Sequence, residues 1–301
     1  MRFSVWPSPS QPVQDLLAVA HHADATGWDG VYVSDHFMGD GGGFGPVDAP
    51  VLEATALLAA LAASTSSVRL GSLVFGTTYR HPAVLANWAA TVDRISGGRL
   101  VLGIGAGWQV NEHEQYGIEL PAVADRVRRF AEVAELTRSL LSEPTTTFAG
   151  DWFTLTEARC EPKPLQSPLP LLIGAKGDRM LALVARFADE WNLWGLPGAL
   201  PERMAVVEAA CERIDRDPAT IARSAQALVL LTDDEAAGAR FVDAVAPRAA
   251  IAGTPGQVAE AAAAYREVGL DELIVPDFVL GSGTERLEAL DALLEAVAPL
   301  R

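Results

Sequence analysis

The stretch RLVLGIGAGWQVNEHE, residues 99–114, runs from an apolar segment into a glycine-rich loop. Residues 100–104 contain no polar side chain, which is typical of a parallel strand buried on both faces. Gly103, Gly105 and Gly107 stand at alternate positions, and a residue without a Cβ lets the backbone approach a ligand or a neighbouring segment. The pattern therefore predicts a buried strand followed either by a loop that binds a phosphate or flavin edge or by a tight packed turn.

These glycines do not form the dinucleotide-binding fingerprint GxGxxG. If the motif began at Gly105, its third glycine would fall on Val110, and if it began at Gly103, that glycine would fall on Trp108. Both registers fail, so a Rossmann-type site is excluded here.

The length and composition favour one large α/β domain. The chain has 301 residues, of which 50% are hydrophobic, and single α/β barrels commonly have this size. We therefore predict one domain over residues 1–301. Apolar runs such as 57–63 are too short to span a bilayer, and the start MRFSVW lacks the features of a signal peptide. We expect a soluble, cytoplasmic protein.

The charge balance is strongly acidic. Acidic residues number 39 and basic residues 23, which gives a formal net charge of −16. Such a field repels nucleic acid and anionic membranes, so we expect neither as a partner. An anionic cofactor would need local groups such as Arg80, Lys176 and Arg179 together with loop amides. The only cysteines, Cys160 and Cys211, predict neither a disulfide framework nor a thiolate metal site.

Predicted strands and helices alternate along the whole chain. The expected strands cover residues 2–6, 30–34, 69–75, 100–104, 171–173, 190–194, 224–231 and 272–275. The expected helices cover residues 11–26, 50–63, 82–95, 124–141, 201–213, 255–268 and 285–297. A count of eight strands favours a closed (β/α)8 TIM barrel over an open doubly wound sheet. The segments TTTFAG and DWFTL predict a hairpin inserted between the fourth helix and the fifth strand.

In a closed barrel, the residues that follow the strands share one face and one cavity. This places together Trp6, Asp35, His36, Ser72, Gly107, Trp108, Asn111, Gly174, Lys176, Trp191, Asn192 and Asp277. The tryptophans favour a flat ligand because indole rings supply a large apolar area. The alternative is that they only plug the barrel.

His36 is the strongest candidate for proton transfer because it directly follows a predicted strand. Asp35 or another carboxylate could fix its tautomer, although a purely structural histidine is the competing interpretation. Glu112, His113 and Glu114 do not form HExxH, and adjacent helical residues face different ways, so we expect no metal site. No GxSxG motif is present, which removes the support for acyl transfer.

Five segments together resemble the luciferase-like monooxygenase superfamily, and specifically its actinobacterial branch that depends on a deazaflavin. They are WPSPSQP, DGVYVSDHF, RLGSLVFGTTYRHPAVLANWAATVDRISGGRLVLGIGAGWQVNE, PLLIGAKGDRMLALVARFADEWN and GTPGQVAEAAAAYREVGLDELIV. The resemblance covers nearly the whole chain. Its specific part is the combination of TYRHPA, the strand into GxGxGW, and ADEWN.

The resemblance implies a (β/α)8 barrel whose carboxyl-terminal face binds coenzyme F420, with hydride moving at the C5 carbon. It implies that Asp35 and His36 flank the ring and that Ser72–Leu73 is a non-prolyl cis peptide bond. It also implies that the side chain and phosphate of the cofactor contact Ala106, Gly107, Asn111, Gly174, Ala175, Lys176 and Gly177.

The sequence departs from the sugar-phosphate dehydrogenases of this superfamily at two positions. Trp108 stands where they carry a glutamate, and Asp40 stands where they carry a tryptophan. We therefore predict a small, fairly apolar substrate instead of a sugar phosphate. The predicted catalytic group is His36, Asp35 and Trp108, and the predicted substrate-binding residues are Trp6, Trp108, Trp191 and Asn192.

Two alternative functions remain for the same barrel. One is a monooxygenase that uses reduced flavin mononucleotide (FMN) and oxygen, and the other is a member that binds a cofactor or ligand without catalysis. A homodimer is possible on general grounds.

Overall fold

A ring of eight parallel strands dominates the computed structural model, which describes residues 1–42 and 44–301. Its strands are β1 (Arg2–Trp6), β2 (Gly30–Val33), β3 (Arg69–Ser72), β4 (Leu100–Gly105), β5 (Leu171–Gly174), β6 (Glu190–Trp194), β7 (Ala222–Gln226) and β8 (Glu272–Pro276). Neighbouring strands pair in this order, β8 pairs with β1, and β3 pairs with β4 through Leu70 and Leu100. These pairings close the ring, and the predicted TIM barrel is confirmed.

Helices surround the ring and cover the outward side chains of the strands. They are α1 (Val13–Thr26), α2 (Ala54–Ser64), α3 (Pro82–Ile95), α4 (Val110–Tyr116), α5 (Val123–Ser142), α6 (Asp178–Phe187), α7 (Leu200–Glu212), α8 (Glu235–Val245), α9 (Pro255–Glu267) and α10 (Gly283–Val297). The sequence patterns missed α4, α6 and α8. None of the helices in the described part of the chain is long and apolar enough to cross a membrane.

The predicted strand 69–75 is interrupted. β3 ends at Ser72, and a short strand, Phe75–Gly76, resumes pairing with β4. The non-prolyl cis peptide bond lies between them at Leu73–Val74, so its predicted position at Ser72–Leu73 was wrong by one residue. Ser72 is still paired with Val33 in the sheet, and the amide of Leu73 donates to the carbonyl of Val33 at 2.7 Å. The backbone therefore leaves the sheet only after Leu73.

The predicted strand 224–231 also divides into two. Its first part is β7 of the barrel, and its second part, Leu228–Leu231, pairs with Ala250–Gly253 in a separate parallel sheet. Helix α8 lies between these two strands. This small unit carries Arg248 to the cavity described below.

The predicted hairpin is confirmed as the antiparallel pair Thr146–Ala149 and Thr154–Ala158. Phe153 and Leu155 are buried in an apolar cluster with residues of α3 and α5. The hairpin is thus packed on the outside of the barrel.

The amino-terminal end of the barrel interior is filled by buried charges. Glu272 is fully buried and accepts hydrogen bonds from Ser4 Oγ at 2.5 Å and from Arg69 at 3.2 Å. Arg69 also pairs with Glu190. Because this network closes the lower end, the open volume of the barrel lies at its carboxyl-terminal end.

Candidate active site

A cavity of about 590 Å³ opens at the carboxyl ends of the barrel strands. It brings together most of the side chains that the sequence placed in the site. The predicted residues that line it are Trp6, Asp35, His36, Leu73, Ala106, Gly107, Trp108, Gly174, Ala175, Lys176 and Asn192.

Three predicted cofactor residues do not line this cavity. Ser72 is buried, and its hydroxyl donates to the carbonyl of Gly103 at 2.8 Å. The side-chain amide of Asn111 donates from Nδ2 to the carbonyl of Gly39 at 2.9 Å, which ties α4 to the loop after β2. Gly177 is the N-cap of α6. Each of these three residues therefore has a structural role of its own.

The predicted substrate residue Trp191 faces away from the cavity. It is fully buried in the core between strands and helices, and its indole N–H donates to the carbonyl of Ala175 at 2.9 Å. Side chains alternate along a strand, so Asn192 and Trp194 lie on the opposite face of β6 and line the cavity. The sequence placed the wrong tryptophan of EWNLW in the site, and the alternation itself could have identified Trp194.

His36 is held by a carboxylate that the sequence did not assign to it. Its Nδ1 lies 2.9 Å from Oε1 of Glu112, while Asp35 makes no hydrogen bond to this ring. Since a carboxylate only accepts, Nδ1 carries the proton of this bond. The other ring nitrogen, Nε2, has no protein hydrogen-bond partner within the described residues, and His36 lines the cavity.

Glu112 is a buried carboxylate with three donors. Besides His36, it accepts from the amide of Phe37 at 2.9 Å and from the hydroxyl of Tyr79. Burial works against ionisation of Glu112, yet these hydrogen bonds outweigh it and hold the pKa of the carboxyl below its usual value. Burial and the neighbouring Glu112 charge raise the pKa of Tyr79. Glu112 is therefore an ionised acceptor, and Tyr79 a neutral donor.

The cluster Glu112, His113 and Glu114 does not converge on one point. His113 is buried between Thr78 Oγ1 at 2.8 Å and the carbonyl of Gln109 at 2.6 Å. Glu114 is exposed. Glu112 therefore binds His36, His113 packs α4 against Thr78, and Glu114 faces solvent.

Asp35 reaches the cavity, but its carboxylate is engaged elsewhere. Arg80 donates to its two oxygens at 2.6 and 2.8 Å, and the amide of Gly76 donates at 3.0 Å. Burial raises the pKa of Asp35, and Arg80 opposes that rise. Asp35 therefore links β2 to the segment after β3, a contact that the sequence did not predict.

Aromatic rings form the upper wall of the cavity. Trp6 contacts Trp194 and Phe278, with centroid distances of 5.9 and 5.1 Å. Trp108, which is 51% exposed, meets His36 edge-on at 5.5 Å. Trp108 thus forms the lip of the cavity beside His36.

The wall formed by Leu73 and Val74 is apolar, as the face of a planar ring cofactor requires. A Cβ on Gly105 or Gly174 would lie 2.6 or 3.0 Å from Val74. The two glycines therefore leave the space in which Val74 rests. Beside this wall, Lys176 and Arg248 reach the cavity without an ion-pair partner in the described part of the chain. Two unneutralised cations in an acidic protein fit an anionic cofactor.

The sequence and fold are similar to those of known enzymes. A family model described as luciferase-like monooxygenase matches residues 1–250. The F420-dependent glucose-6-phosphate dehydrogenase of Amycolatopsis mediterranei (strain U-32) is 35% identical over 179 residues, which are 58% of this chain and 52% of that protein. The enzyme of the same name from Segniliparus rotundus (strain ATCC BAA-972 / CDC 1076 / CIP 108378 / DSM 44985 / JCM 13578) is 27% identical, with 97% and 94% of the two chains covered. At the higher identities, the chain spans about half the length of the curated relatives it matches.

A solved structure shares the fold over nearly its whole length. It is an F420-dependent secondary alcohol dehydrogenase in complex with an F420–acetone adduct, with a TM-score of 0.86 and 20% identity. The alignment covers 98% of each chain. At this identity, the likeness establishes the architecture of the barrel.

Proposed function

The chain belongs to the luciferase-like monooxygenase family, and from this premise we propose that it is an F420-dependent oxidoreductase. The reaction is transfer of a hydride between the deazaflavin and a small, fairly apolar organic substrate such as a ketone, an alcohol or an activated alkene. The observation that supports it most is the His36–Glu112 pair beside a cavity that is also lined by Lys176 and Arg248, neither of which has an ion-pair partner among the described residues.

The cavity offers separate surfaces for the two parts of such a cofactor. Leu73 and Val74 would contact the flat ring, with the backbone of Ala106 and Gly107 at its edge. Lys176 and Arg248 would hold the anionic side chain, since each presents a charge without a carboxylate partner in the described residues. When bound there, the deazaflavin supplies a ring carbon that accepts or donates a hydride.

His36 moves the proton that accompanies the hydride. Reduction of a carbonyl adds a proton at its oxygen, and oxidation of an alcohol removes one. Nε2 of His36 is the nitrogen available for that exchange, because Nδ1 is bonded to Glu112. Glu112 fixes the tautomer and the orientation of the ring, and it compensates the positive charge when His36 is protonated.

The aromatic wall supports an apolar substrate. Trp6, Trp108 and Trp194 line the cavity, and their indole rings exclude water and bind apolar groups. Trp108 stands where the resemblance implies a glutamate in sugar-phosphate dehydrogenases, so we do not extend the substrate in the names of the relatives to this chain.

Titration of the purified protein with coenzyme F420 and with FMN, followed by fluorescence, tests the proposal. We expect saturable binding of F420 and much weaker binding of FMN. Tight FMN binding without a response to F420 would contradict the proposal and favour the flavin monooxygenase alternative. Failure to bind either cofactor would favour a protein without redox activity.

A further inference from the structure

A second, smaller chamber lies directly behind the wall of the cavity. Its volume is about 190 Å³, and its apolar lining includes Pro9, Met38, Pro46, Val51 and Phe278. His36 and Phe44 line both the chamber and the main cavity. These two rings are therefore the partition between the two spaces.

The ring of Phe44 packs against side chains on several sides of the site. Its centroid lies 5.2 Å from that of His36 and 5.9 Å from that of Trp108. On another side it lies 6.3 Å from the ring of Trp6, and the guanidinium of Arg248 lies 5.6 Å from it. Removal of this one side chain would connect the chamber to the space beside His36.

The backbone that carries Phe44 is anchored independently of its ring. Asp40 Oδ1 accepts from the amides of Gly42 at 2.9 Å and Phe44 at 2.8 Å. Closer to β2, Gln109 donates to the carbonyl of Met38 at 3.0 Å. Because these contacts involve backbone atoms, a substitution at Phe44 leaves the anchors of the loop in place.

We propose that Phe44 determines substrate specificity by closing the apolar chamber, and that it thereby limits the alkyl chain that a substrate can carry beside His36. This inference rests on the proposed function, because it assumes that the substrate reacts next to His36. The chamber suits hydrocarbon: its lining is mainly apolar, and each methylene buried there would tighten binding about fourfold. In Phe44→Ala, the chamber joins the cavity and longer chains fit.

The role of Phe44 is tested by measuring the binding of a series of methyl ketones, from butanone to decan-2-one. The measurement is calorimetry, and it is made on both cofactor-free and F420-loaded protein. For the unmodified protein, we expect the affinity to stop rising at an intermediate chain length. For Phe44→Ala, we expect the limit to move to longer chains, with about tenfold or greater tightening for the longest ketones. Phe44→Leu should lie between the two and serves as the conservative variant if the alanine variant is unstable.

Ala49→Leu provides the matched control because Ala49 lines only the chamber. Alone, this substitution should leave the chain-length limit unchanged, and combined with Phe44→Ala it should cancel the gain. An unchanged limit in both Phe44 variants, or no measurable binding of any ketone, would overturn the inference.

The outcomes separate this inference from the proposed function. If all variants turn over substrate with F420 and show the same chain-length limit, the proposed function is supported and the role of Phe44 is contradicted. A shifted limit in a protein that does not bind F420 would support the role of Phe44 and contradict the proposed cofactor.

Discussion

His36 Nδ1 lies 2.9 Å from Glu112 Oε1, although the two residues are 76 positions apart in the chain. The contact joins the loop after β2 to helix α4, and the side chain of Glu112 is fully buried. It leaves Nε2 of His36, the nitrogen to which we assign proton transfer, without a hydrogen-bond partner among the described residues.

Replacing Glu112 should reduce turnover more than it reduces cofactor binding. In Glu112→Gln, His36 loses its ionised acceptor, and we expect kcat to fall about 100-fold, while the Kd for F420 changes less than about threefold. Steady-state kinetics and fluorescence titration measure the two effects. Glu114→Gln is the matched control, since Glu114 is an exposed carboxylate of the same helix. Equal activity of the two variants would remove the role of Glu112.

Removing Arg80 should destabilise the fold by leaving Asp35 buried without its cation. We expect Arg80→Ala to lower the free energy of unfolding by about 3 kcal/mol at neutral pH. Burial raises the pKa of Asp35, so its ionisation disfavours the folded state, and the penalty shrinks as pH falls through that raised pKa. Denaturant unfolding at pH 7 and near pH 4.5 measures the difference.

Two further variants check the origin of this loss. Arg80→Ala combined with Asp35→Asn should recover part of the stability at neutral pH. Arg128→Ala removes an exposed arginine paired with Asp125 and Asp151, and no measurable change is expected. A loss in Arg80→Ala that is independent of pH and of Asp35 would contradict this account.

The two tryptophans of β6 should respond in opposite ways. Trp191→Ala creates a cavity in the core and should cost about 3 to 5 kcal/mol of stability. Trp194→Ala removes a side chain that lines the cavity, so we expect a smaller loss of stability and weaker ligand binding. Thermal unfolding and ligand titration distinguish them. The reverse pattern would place Trp194 in the core and Trp191 at the cavity, and would contradict these roles.

Lys176 should contribute an electrostatic part of cofactor affinity. We expect Lys176→Ala to weaken F420 binding about tenfold at low salt, with a smaller difference at high salt because ions screen exposed charges. Arg179→Ala is the control, because Arg179 is a nearby exposed cation that does not line the cavity. Similar losses in both variants would indicate a general effect of net charge instead of a local contact.

Asp24 should make the stability sensitive to acid. Burial alone would raise its pKa, but hydrogen bonds from Ser67, Val68 and Ser66 lower it to about 2. Because the folded pKa is depressed, this stabilisation is present above about pH 4 and is lost as pH falls towards 2. Asp24→Asn should cost about 1 kcal/mol at pH 7, after allowance for solvent screening, and little near pH 2. An equal cost at both pH values in denaturant unfolding would contradict the assignment.

Much of the fold was predictable because its signals are local. Several barrel strands, such as β4 and β5, are short apolar runs that are followed by glycine or polar residues, so the count of eight and the position of His36 could be inferred from local sequence. The elements that were missed have weak local patterns. Helix α8, for example, has only Gly238 buried, so its apolar pattern did not mark a core-facing helix.

The sequence by itself determined the barrel, the end of the barrel that carries the site, and the presence of a histidine there. Tertiary structure alone decided which carboxylate reaches His36, which tryptophan of β6 lines the cavity, and that Phe44 separates two apolar spaces. The reason is that strand periodicity depends on neighbours a few residues apart, whereas the contacts of the site join residues such as His36 and Glu112 from different βα units. Their distances are set by the closure and register of the barrel.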